Sequence, residues 1–75
     1  MDIQLVQVLV HVDEDLDDSR KSELEEALRA LDGVVSTRFS KPHLLCVEYN
    51  PEHATSAEIL SRVTSRGLHA ELIGL

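Results

Sequence analysis

The chain has 75 residues and a mass of 8.4 kDa, with 43% apolar side chains and Phe39 and Tyr49 as its aromatics, enough for one domain over 1–75 and too little for two. Seven basic residues against fourteen acidic ones leave a formal charge of −7, which repels phosphate backbones and anionic lipid headgroups and argues against nucleic acid and membrane surfaces as partners. There is no ~20-residue apolar span, and the start MDIQLV lacks a basic n-region and a small-residue cleavage site, so a cytoplasmic location is expected; a lone Cys46 excludes an internal disulfide.

Residues 3–12 are nearly all β-formers. Alternation puts Val6, Val8, Val10 and Val12 on one face and Leu5, Gln7, Leu9 and His11 on the other, a strand buried on its valine side. Over 18–32, Leu24, Ala27, Leu28 and Leu31 recur at the spacing of a helix stripe, and Gly33 follows as a C-terminal stop. VVSTRFS and HLLCVEY are two short β-rich runs, joined at Ser40-Lys41-Pro42 where a hairpin turn fits. Asn50-Pro51-Glu52-His53 breaks the strand. Thr55-x-x-Glu58 is a capping box that opens a second helix with the stripe Ile59, Leu60 and Val63, ended by Gly67. The remaining LHAELIG suits a fourth strand.

The order βαββαβ in so short a chain predicts an α+β, ferredoxin-like sandwich: a four-stranded antiparallel sheet with both helices on one face and right-handed crossovers. Several segments are similar to the heavy-metal-associated domains of copper chaperones and metal-pumping ATPases. Leu24 to Val34 resembles that family's first helix and closing Gly-Val. Val47-Glu48-Tyr49-Asn50-Pro51 resembles its Val-x-Tyr-Asp-Pro, and Arg66-Gly67-Leu68-His69-Ala70 its Gly-Tyr-x-Ala. Members that carry soft metals have Met-x-Cys-x-x-Cys between strand one and helix one, two thiolates that clasp Cu(I) or Zn(II). Counting back from Leu31-Asp32-Gly33 sets Asp15 at the methionine, Asp17 at the first cysteine and Arg20 at the second. Both thiolates are missing, so Cu(I) transfer in the family's manner is not expected.

The replaced loop, Asp13-Glu14-Asp15-Leu16-Asp17-Asp18, holds five of the fourteen acids. Acids at 13, 15 and 17 imitate the start of an EF-hand loop, but Asp18 stands where the turning glycine belongs and Leu24 where the bidentate glutamate belongs. The simpler role for Asp17 and Asp18 is to cap helix one and meet its positive end. Topology gathers His11, His43 and His69 at one pole near this loop and leaves His53 at the other. With Glu71 two residues beyond His69, they form a set of donors suited to a divalent transition ion, Zn(II), Ni(II) or Cu(II); their alternative reading is as unliganded surface histidines.

Cys46 has outward parity beside Leu44 and Glu48, with no base or cation to activate it, and reads as a small hydrophobe. Leu5, Leu9, Leu44, Cys46 and Ile73 would form an apolar patch on the uncovered sheet face, fit for a homodimer or a protein partner, a basic one being favoured by the charge. The central outward positions carry no aromatics for stacking RNA bases, and the acidic loop is no phosphate cradle. No nucleophile, base and orienting acid assemble, so no enzyme is expected. The leading expectation is a metal-binding module using His11, His43, His69 and Glu71; the rival is a metal-independent interaction module.

Overall fold

The computed structural model describes residues 4–73. Its elements are β1 (Val6–Val12), α1 (Asp18–Arg29), β2 (Val34–Lys41), β3 (Leu44–Tyr49), α2 (Ser56–Thr64) and β4 (Ala70–Ile73). The strands form one sheet in the order β2-β3-β1-β4, every neighbouring pair antiparallel, which is the expected ferredoxin-like arrangement. Among the described residues no helix is long and apolar enough to cross a membrane.

The valine alternation of β1 decides the layering. Val8, Val10 and Val12 are buried, as are Leu45, Val47 and Tyr49 of β3. Leu24 and Leu28 of α1 and Ile59 and Val63 of α2 close over them, each such side chain worth about 1.5–3 kcal/mol when taken out of water. The buried Thr37 of β2 is satisfied on both sides: its hydroxyl donates to Glu25 O at 3.1 Å and accepts from Arg29 at 3.0 Å. Glu25 also takes the Phe39 N–H at 3.1 Å, so α1 occupies part of the free β2 edge and blunts it against pairing with another chain.

Element ends differ from the sequence expectation in four places. β1 begins at Val6, because its last partner in β3 is Tyr49 and nothing remains for Gln4 and Leu5 to pair with; Ile3 and Gly74 lie outside the described residues. α1 stops at Arg29, with the C-cap Ala30 N donating to Glu26 O at 3.1 Å and Leu31 N to Leu28 O at 3.0 Å, three residues before the apolar spacing runs out at Asp32. The hairpin turn is Pro42-His43. His43 thus sits on the turn, its carbonyl accepting the Val12 N–H at 2.9 Å, and a bulge between Phe39 and Lys41 absorbs the extra residue. β4 is shorter than expected, starting at Ala70.

Candidate functional site

The loop from β1 to α1 starts between two histidine carbonyls. Val12 N donates to His43 O and Asp13 N to His69 O, both at 2.9 Å, so the end of β1 is stitched to the hairpin on one side and to the approach to β4 on the other. This backbone pairing brings His43 and His69 to the pole where His11 ends its strand. His53 lies at the opposite pole, exposed, with Nδ1 3.7 Å from Asp32.

Each histidine of the pole meets a different acid of the loop. His11 Nδ1 is 3.2 Å from Asp13 Oδ1, but without hydrogen-bond geometry, so this buried nitrogen has no partner. His43 Nε2 is 2.9 Å from Asp15 Oδ1, while its Nδ1 is 2.8 Å from Val12 O; since a carbonyl only accepts, Nδ1 carries the hydrogen of that bond. Glu14 takes both the backbone N–H of His69, at 2.9 and 3.1 Å, and its Nδ1 at 2.7 Å. The hydrogen bond to Glu14 raises the His69 pKa above its ordinary 6.5, and the same bond lowers Glu14 below 4.5.

The His11 and His43 rings stack with centroids 6.0 Å apart and 25° between planes. Glu71 is opposite His11 across the β1/β4 ladder and exposed. Among the described residues, no three of the histidine, cysteine and acidic side chains converge on one point where an ion would sit. The pole therefore gathers the expected histidines as three imidazole–carboxylate pairs. The acidic loop is expected, as the alternative to Glu71, to supply carboxylate to these histidines; which acid meets which ring is not legible in the sequence, where the signal is only that three consecutive acids follow a strand flanked by the two other histidine-bearing segments.

Asp17 is committed elsewhere, as the N-cap of α1, its Oδ1 accepting from Arg20 N at 2.8 Å. Cys46 lies mid-strand in β3, opposite Leu9 of β1 and Arg38 of β2, in contact with the Gln7 amide and one outward row away from Leu44 and His11. Leu9, Leu44 and Cys46 are half-buried on the outer sheet face, and Leu5 and Ile73 are 43% and 38% exposed.

No protein-family model matches the sequence, and no curated protein matches it. Solved structures do. A copper binding domain from HMA7, a P-type ATPase, is 19% identical, with 91% of this chain and 93% of that one covered and a TM-score of 0.82. Oxidized MerP from Ralstonia metallidurans CH34 is 10% identical over 95% of this chain and 100% of its own, TM-score 0.83. The N-terminal domain of a potential copper-translocating P-type ATPase from Bacillus subtilis, solved in the Cu(I)-loaded state, is 20% identical over 95% and 90%, TM-score 0.82. At these identities the likeness shows a shared fold.

Proposed function

We propose that this chain is a non-enzymatic binding module of the heavy-metal-associated type whose cargo is a divalent transition ion, Zn(II), Ni(II) or Cu(II). The ion is held by His11, His43 and His69 with the carboxylates of Asp13, Glu14 and Asp15, and with Glu71 beside them. The observation that carries this reading is His43. Its Nδ1–H bond to the Val12 carbonyl fixes the ring so that Nε2 is the nitrogen offered outward, the arrangement that backbone acceptors give to metal-ligating histidines.

Three further features support it. Nitrogen and oxygen atoms 2.7 to 3.2 Å apart in the three pairs have about the separation of two donors sharing one ion. His11 Nδ1 is a buried nitrogen without a hydrogen-bond partner, and an ion would satisfy it. The donors are imidazole and carboxylate, which suit borderline divalent ions. A soft Cu(I) cargo does not fit: Asp17 and Arg20 stand at the positions that resemble the cysteine pair, Asp17 is spent on the helix cap, and Cys46 is a single thiol in contact with the Gln7 amide. Binding brings His11 and His69 by side-chain rotation to an ion at the fixed His43 Nε2, with the backbone bonds from Val12 and Asp13 keeping the turns in place.

Equilibrium dialysis against Zn(II), Ni(II) and Cu(II) tests the reading. Stoichiometric binding is expected, weakened about tenfold or more by His43→Ala or His11→Ala, a loss of the size seen on removing groups of a metal site. His53→Ala should bind as the parent does. A parent protein that leaves all three ions free, or a His53→Ala loss equal to the others, contradicts it.

A further inference from the structure

Once the core is closed, the outer sheet face remains uncovered, and the strand register arranges it in rows. One row runs Arg38, Cys46, Leu9, Ile73 and the next Lys41, Leu44, His11, Glu71. The second row has a cation on the β2 edge and an anion on the β4 edge, with apolar Leu44 beside His11 at its centre.

We infer that this face pairs with a second copy of the same chain, sheet on sheet, about a two-fold axis parallel to the strands between β3 and β1. A two-fold contact requires a surface complementary to itself, and a row that runs from Lys41 to Glu71 has that property. The axis sets β2 of one copy over β4 of the other and β3 over β1. Cys46 then packs on Leu9 of the second copy, Leu44 on His11, the Arg38 stem on Ile73, and Lys41 meets Glu71 at both corners. Aligned sheets cross at about 30°, which shifts the corners by a few ångström, within reach of a lysine side chain.

Four strands at about 4.8 Å spacing and about 3.3 Å per residue offer several hundred Å² per copy, near the ~1,000 Å² total at which specific interfaces begin. The charge of −7 on each chain opposes approach. The dimer is therefore weak, and because His11 and Glu71 belong to both the dimer contact and the proposed ion site, it is tested without metal.

Sedimentation equilibrium in EDTA from micromolar to millimolar chain tests it with the ion-binding pole kept metal-free. The mass is expected to climb from 8.4 kDa toward twice that value. Leu9→Asp should hold it at the monomer. Lys41→Glu and Glu71→Lys, both at exposed positions, should each raise the dimer Kd about tenfold through two reversed corner pairs, and the double variant should return to within about threefold of the parent. A monomer mass at millimolar chain, or a double variant no tighter than the singles, overturns the inference.

Discussion

Gly33 leaves α1 at φ +95°, and a Cβ there would stand 2.8 Å from His53 Cβ and 3.0 Å from Ala54, whereas Gly67 at φ +82° has open space around it. Alanine in the left-handed region costs about 1–2 kcal/mol, so Gly67→Ala should lose that much in urea unfolding. Gly33→Ala should lose clearly more, because the clash is with chain that closes the core at Ala54; equal losses would contradict the packing account. At the other pole, Glu14 and His69 make stability depend on pH. The raised His69 pKa contributes fully below its unfolded value near 6.5 and is lost as pH rises through the folded value. The lowered Glu14 pKa contributes above about 4.5 and is lost as pH falls through the folded value. The pair thus stabilises most between those two limits. In metal-free buffer the His69 ring should titrate above 6.5 by NMR, and Glu14→Gln should bring it back; an unmoved midpoint would mean the contact does not persist in solution.

At the scale of elements, both helices start on a side-chain cap. Thr55 Oγ1 accepts from Glu58 N at 3.1 Å and Glu58 Oε1 from Thr55 N at 3.2 Å, a reciprocal pair that the Thr-x-x-Glu spacing predicts. Asp17→Ala and Thr55→Ala should each cost about 1 kcal/mol in unfolding. Asp17→Ala should leave Zn(II) affinity unchanged, which separates a cap from a ligand; an affinity loss would return Asp17 to the metal site. Helix caps are legible because they rest on local contacts, whereas strand starts depend on the partner strand. The end of α1 was not legible, since Leu31 continues the apolar spacing and still packs on the core after the helical hydrogen bonds have ceased. Likewise His43 reads as strand by composition, while the bulge before Lys41 moves the turn onto it.

For the whole molecule, element order and the buried valine face were enough to determine the ferredoxin-like topology, because few arrangements bury one strand face under two helix stripes. The common pole of His11, His43 and His69 follows from that topology. Which acid meets which ring does not, since His69 and Glu14 are brought together only by the β1/β4 pairing, 55 residues apart in sequence. Since an ion and protons compete for the same imidazoles, metal affinity should fall as pH drops below the raised His69 value, read by repeating the dialysis at pH 5 and pH 7.5; affinity that is flat across that range would take the histidines out of the site.

The most direct measurement is an NMR titration of the histidine ring nitrogens with Zn(II), following all four rings at once. At one equivalent, His11, His43 and His69 should shift together and His53, at the far pole, should not. Rings that stay unmoved, or four rings that move alike with no stoichiometric break, would contradict a metal centre at the end of β1.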